Sequence, residues 1–128
     1  MPLNQAQAFQ KMAHKDFRAI LQMTDEGFDI EIFGFHAQQT VEKCLKAWIR
    51  QSGGIPPLTH NLSILFARLE ELGQDTGIWQ DLVELNSFAV QLRYQEIDDE
   101  APDLNRQEVI EQIERLLTSI DKLVGYSE

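Results

Sequence analysis

Three histidines, two sets of basic side chains at helical spacing and a single cysteine are the groups in this chain with chemistry to offer. On a helix turning 100° per residue, His36, Gln39, Lys43, Lys46 and Arg50 fall within about 80° of one another, a polar, basic ridge that can hold an anion through convergent cations and an amide. Lys11, His14, Lys15 and Arg18 cluster in the same way further upstream. Each stripe is also what an ordinary solvated helix face looks like. His60 can serve as a proton acceptor and donor near neutral pH, or as a helix-cap residue bonded to backbone, and His36 can bond within the fold rather than to a ligand. Cys44 recurs with apolar residues at helical steps and reads as a small buried hydrophobe rather than a nucleophile. A lone thiol among scattered histidines gives no metal-ligand spacing. Gly53-Gly54 lacks the Gly-Lys-Ser/Thr ending of a phosphate loop, and no Glu-x-x-His pair exists to build a di-metal bundle site. No metal and no cofactor is expected.

The elements that must position these groups are all helical. Phe9, Met12, Ala13, Phe17, Ile20 and Leu21 recur at three- and four-residue steps, which predicts an amphipathic helix over about 4–24 with Asn4 as its cap. A second and longer helix runs over about 29–52, with Ile30, Phe33, Ala37, Val41, Cys44 and Trp48 on one stripe and Gly53-Gly54 at its end. Ile55-Pro56-Pro57 cannot continue it. Thr59 or Asn61 then caps a third helix over roughly 60–72, where Leu62, Leu65, Phe66 and Leu69 face inward and Gly73 closes the element. A fourth helix over about 77–94 groups Ile78, Leu82, Leu85, Phe88, Ala89 and Leu92, and an acidic loop, 96–103, follows it. The last helix, about 105–124, carries Val109, Ile113, Leu116, Leu117, Ile120 and Val124 at the same period and ends at Gly125. Trp48 and Trp79 are expected in the core or at an interface. Five helices with short connections and no strand predict an all-α, antiparallel up-and-down bundle. No repeat or linker-like stretch divides the sequence, so residues 1–128 are expected to form a single domain.

The charge is uneven. Against a net charge of −10, residues 1–50 carry six basic and six acidic side chains, whereas the remainder carries five and fifteen. Such a balance argues against general binding to a phosphate backbone, which needs clustered lysine and arginine. Any anion must be met by the first half, leaving the acids as solubilising surface or a docking face for a basic partner. No run of about 18 apolar residues is present to span a bilayer, and the first residues lack the basic start and apolar run of a secretion signal, so a cytoplasmic location is expected.

The segment Phe35-His36-Ala37-Gln38-Gln39-Thr40-Val41-Glu42-Lys43-Cys44-Leu45-Lys46-Ala47 resembles the signature helix of HEPN domains. Thr59-His60-Asn61-Leu62 resembles the family's Thr-His-Asp-Leu segment, and Leu92-Arg93-Tyr94 resembles the Arg-Tyr that ends its fourth helix, in the same order and at fitting spacing. The resemblance implies a helical bundle, commonly a homodimer, that binds nucleotides or RNA. It also implies a small nucleotidyltransferase as partner, in a two-component or toxin-antitoxin-like system.

The family's ribonuclease branch uses an arginine and a downstream histidine separated by four to six residues. Here Asp98, Asp99 and Glu100 occupy those positions after Arg93, and no histidine follows His60 anywhere in the chain. Carboxylates there would repel a phosphodiester rather than exchange protons with it. The expectation is a domain without that motif, binding a nucleotide, RNA or partner through His36, Gln39, Lys43, Lys46, Arg50, His60, Arg93 and Tyr94. Arg93 can bind phosphate bidentately or pair with the acids that follow it. The alternatives are a divergent, metal-independent ribonuclease using His60 and Arg93, and a bundle serving only for dimerisation and docking. Tyr94 and Tyr126 are open as sites of modification by a partner enzyme.

Overall fold

The computed structural model describes residues 2–89 and 104–128. Four α-helices and one 3₁₀ helix make up these residues, with no strand among them: α1 (Gln5–Leu21), α2 (Ile30–Gln51), α3 (Leu62–Glu71), the 3₁₀ helix (Gly77–Phe88) and α4 (Arg106–Val124). The predicted helical bundle is what the chain forms.

Helix ends follow from side chains that satisfy the free backbone groups there. Asn4 caps α1 through a reciprocal pair, its Oδ1 accepting from the Gln7 N–H at 2.8 Å while Gln7 Oε1 accepts from the Asn4 N–H at 3.1 Å. Of the two caps expected for α3, Asn61 takes the position and accepts from the Ser63 N–H. Asn105 does the same for α4 through the Glu108 N–H. Gly53, Gly73 and Gly125 follow α2, α3 and α4 with φ of 90°, 80° and 72°, left-handed values that disfavour any side chain.

Helix α2 is the central element, packed against α1, α3, the 3₁₀ helix and α4. Its stripe of Phe33, Ala37, Val41, Cys44 and Leu45 is fully buried. Opposite it, α4 inserts Ile113, Leu116 and Ile120. Trp48 is buried in the core, its indole N–H donating to Gln74 Oε1 at 3.0 Å, and Trp79 packs against the core while partly exposed. Gly34 permits a close approach of the 3₁₀ helix to α2, since a Cβ at this position would lie 2.3 Å from the Phe88 ring.

Three expectations change. Met12 and Leu21 are exposed, whereas Gln10 is fully buried in α1. Met12 lies roughly 120° around the helix from the centre of the buried stripe, and the Gln10 amide enters the interior because it can donate to Leu117 O at 3.0 Å and Asp121 Oδ1 at 2.8 Å. The fourth element is a 3₁₀ helix rather than an α-helix. With three residues per turn it superposes Leu82, Leu85 and Phe88 on one buried edge and leaves Ile78 82% exposed, outside the stripe that an α-helical period assigns to it. The rest of the predicted fourth helix, including Leu92, Arg93 and Tyr94, and the acidic stretch after it lie outside the described residues.

Candidate functional site

Gln38, Glu42 and Lys46 lie four residues apart along α2, on a row flanked by the buried stripe. The Glu42 side chain is only 2% exposed, an expensive place for a carboxylate unless donors surround it. Four do. Oε1 accepts from His60 Nδ1 at 2.9 Å, Gln38 Nε2 at 3.2 Å and Gln39 Nε2 at 3.3 Å, and Oε2 accepts from Lys46 Nζ at 3.1 Å. Burial alone pushes the Glu42 carboxyl up, but the bonds from His60, Lys46 and Gln38, with the charge of Lys46, outweigh it, and the group sits below its ordinary value. It is therefore an ionised carboxylate at neutral pH.

His60 is the exposed end of this arrangement. Its side chain is 66% exposed although its Nδ1 is tied to the buried Glu42, and its backbone carbonyl accepts from Gln38 Nε2 at 2.8 Å. The ring is thus held at two points, through its own nitrogen and through its peptide. It lines an open cleft of about 340 Å³ together with Thr59, Asn61, Asn86 and Ala89. Asn86, from the 3₁₀ helix, fixes the opposite wall: its Oδ1 accepts from the Leu62 N–H at 2.7 Å and its Nδ2 donates to Asn61 Oδ1 at 2.9 Å. Arg93 and Tyr94, also predicted for the site, lie outside the described residues.

Most of the basic ridge of α2 is consumed internally. His36 Nδ1 meets Asp16 Oδ1 at 3.0 Å, Lys43 Nζ lies 3.6 Å from Asp16 Oδ2 and donates to Gln39 Oε1 at 2.7 Å, and Lys46 pairs with Glu42. Lys43 and Lys46 are 13% and 12% exposed, so each lies against its carboxylate rather than reaching into solvent. Arg50 is exposed and has no ion pair among the described residues. Half of the α1 cluster is paired as well: His14 Nε2 bonds Asp121 Oδ1 at 2.8 Å and Arg18 bonds Glu128, while Lys11 and Lys15 are exposed. Cys44 is fully buried, and burial first, then the charge of Asp121, pushes its thiol up. No group of three histidine, cysteine or acidic side chains among the described residues is placed to hold a metal.

The HEPN domain family model matches residues 6–123, nearly the whole chain. The chain belongs to the HEPN family. HEPN membership supports a nucleotide- or RNA-related function, and HEPN domains often dimerise and bind nucleic acid. No curated protein and no solved structure matches this chain. No helix among the described residues is long and apolar enough to cross a membrane.

Within this HEPN domain the residues that sequence reasoning missed are the partners of those it found. Glu42, Gln38, Asp16 and Asn86 hold His60, Lys46, His36 and the α3 cap. The row 38, 42, 46 was the available signal for two of them, because an acid four residues before a lysine marks a paired helix face. Asp16 and Asn86 carry no such local mark, since their partners are 20 and 25 residues away in sequence.

Proposed function

We propose that this HEPN domain binds a nucleotide or an RNA segment in the cleft at His60, with Arg93 and Tyr94 as further ligand contacts suggested by the sequence alone. The single observation that supports it is the exposed imidazole of His60 held on the buried Glu42 carboxylate at the lip of that cleft. A side chain kept exposed at two fixed points is arranged to meet something outside the protein. On this reading the domain works in the cytoplasm as a single unit of residues 1–128. It forms a homodimer and acts with a small nucleotidyltransferase partner in a two-component, toxin-antitoxin-like system, and it lacks the arginine-histidine spacing of the family's nucleases. Lys43 and Lys46 contribute by holding Asp16 and Glu42 rather than by touching the ligand. Titration of ATP and of a fluorescein-labelled octa-adenylate RNA tests this. Binding of either that weakens about tenfold in His60→Ala, the worth of a hydrogen bond to a ligand, supports it. Binding of neither, or binding indifferent to His60→Ala, refutes it.

One observation also favours a ribonuclease. The Glu42–His60 contact leaves the far ring nitrogen able to take a proton from a hydroxyl, with Arg93 as the cation for the phosphorane charge. That reading expects RNA cleavage in EDTA that is lost in both His60→Ala and Arg93→Ala. Intact RNA in the wild type eliminates it. A stable complex with a nucleotidyltransferase, of an affinity unmoved by added nucleotide, would instead make the bundle a docking scaffold.

A further inference from the structure

His60 is a single-tautomer imidazole by construction. Its Nδ1 faces Glu42 Oε1 at 2.9 Å, and that oxygen belongs to an ionised carboxylate which can only accept. The neutral ring must therefore carry its hydrogen on Nδ1, leaving Nε2, on the opposite edge of the ring, as a bare acceptor. Nothing else in the Glu42 arrangement can reverse this polarity, because Gln38, Gln39 and Lys46 also approach the carboxylate as donors. Across the cleft, Asn86 Oδ1 is occupied by the Leu62 N–H, Asn61 Oδ1 receives both Asn86 Nδ2 and the Ser63 N–H, and Thr59 Oγ1 accepts from the Asn61 N–H. Among the described residues, the ring Nε2 is thus an acceptor whose direction is fixed and which faces a ligand in the cleft. A phosphate oxygen, which is itself an acceptor, does not fit opposite it; a hydroxyl does.

The geometry points to recognition of a ribose hydroxyl: His60 Nε2 accepts from the 2′- or 3′-hydroxyl of a ribonucleoside unit, with Glu42 as the positioning residue that sets the ring's tautomer. This rests on the reading of the cleft as a nucleotide or RNA site and adds which part of the ligand is read. Among the described residues, the Glu42 carboxylate lies behind Nδ1, Lys46 on that carboxylate's other oxygen, and the uncharged Thr59, Asn61 and Asn86 line the cleft with the ring.

The test compares ligands that differ only in hydroxyls. Labelled octa-adenylate RNA and its all-deoxy counterpart carry the same phosphates, and adenosine and 2′,3′-dideoxyadenosine ask whether one ribose is enough. The wild type is expected to favour RNA over DNA by roughly tenfold, the worth of one hydrogen bond, and His60→Ala to bind both equally. A second readout uses a conservative variant: His60→Gln, whose side-chain oxygen can also accept from a hydroxyl, should recover part of the preference that His60→Ala loses. Discrimination between the adenosines would assign the contact to a terminal ribose, and discrimination in the oligomers alone to an internal one; both support the inference. Equal binding of RNA and DNA by the wild type, or a preference that survives His60→Ala, overturns it while leaving nucleotide binding intact. Failure of every ligand to bind overturns both.

Discussion

Replacing Glu42 by alanine removes a carboxylate that accepts from four donors on two elements. The consequences differ among the partners. His60 is two-thirds exposed and can turn to water, so its contribution to stability is heavily screened. Lys46, 12% exposed, is left as a poorly solvated cation without its counter-charge, and the buried Gln38 amide loses one acceptor while keeping the His60 carbonyl. Breaking a buried pair typically costs about 3–5 kcal/mol and leaving a neutral donor unsatisfied about 1–3 kcal/mol. The partial exposure of Lys46 brings the expected total for Glu42→Ala to about 2–4 kcal/mol. For a chain of this size each kcal/mol lowers Tm by roughly 3–5 °C, so a fall on the order of 10 °C is expected. Urea unfolding followed by the fluorescence of Trp48 and Trp79 measures it directly. Glu42→Gln keeps one oxygen for His60 but aims an amide N–H₂ at a donor, and should cost about half as much. Its pH dependence is a sharper check. Because the folded-state carboxyl lies below its ordinary value of 4.5, its contribution is complete above that value and lost as pH falls through the lower, folded-state one. The advantage of wild type over Glu42→Gln should therefore be flat above about pH 4.5 and shrink below it. A loss under about 1 kcal/mol for Glu42→Ala, or an advantage that grows in acid, would refute the account of Glu42 as a buried, donor-stabilised anion.

Gly34→Ala should destabilise the bundle by about 1–3 kcal/mol through overpacking, even though alanine is the better helix former by about 1 kcal/mol, because the new Cβ would meet three atoms of the fully buried Phe88 ring at 2.3–2.5 Å. Thermal unfolding in the presence and absence of Phe88→Leu checks this, since the smaller side chain should relieve much of the loss. Arg106, at the start of α4, donates to the carbonyls of Met23, Asp25 and Phe28 and lies 5.4 Å from the Phe33 ring centroid. Arg106→Lys should cost about 1–3 kcal/mol in urea unfolding, as one ammonium cannot span three carbonyls. Cys44, fully buried with its thiol pushed up, should resist alkylation by iodoacetamide in the native protein and react once urea unfolds it; rapid native labelling would contradict the packing of α1, α2 and α4.

The fold was largely legible because its signals are local. Cap residues such as Asn4 and Asn105, the glycines after α2, α3 and α4, and the apolar periods each act within a few residues. Gln10 was hidden because a glutamine enters a core only when a carbonyl and a carboxylate from α4 happen to face it. The 3₁₀ helix was misjudged for a related reason: Leu82, Leu85 and Phe88 satisfy both a three-residue and a 3.6-residue period, and packing of Phe88 on Gly34, 54 positions earlier, is a tertiary fact. At the site, His60 could be found from its residue type and the Thr-His-Asn-Leu segment, whereas the carboxylate that fixes it could not. Glu42 read as one more charge on a signature helix. The same blindness made Lys43 look like a free cation, because Asp16, which meets His36 and Lys43, belongs to a different helix, whereas the pairing of Lys46 with Glu42 one turn away was open to view.

The pairing of those lysines has a kinetic consequence. A protein that spends several of its cations on its own carboxylates, at a net charge of −10, presents an approaching polyanion with a repulsive field at distances beyond contact. Ordinary nucleic-acid binding slows as salt is added, because screening weakens an attraction. For this HEPN domain, encounter with an RNA chain should instead quicken as the Debye length shrinks from about 30 Å at 10 mM to about 10 Å at 0.1 M salt. Residence time, set by short-range contacts in the cleft, should change much less. Such a molecule would find its ligand by concentration and by partners that carry it there, and not by sweeping anions from a distance.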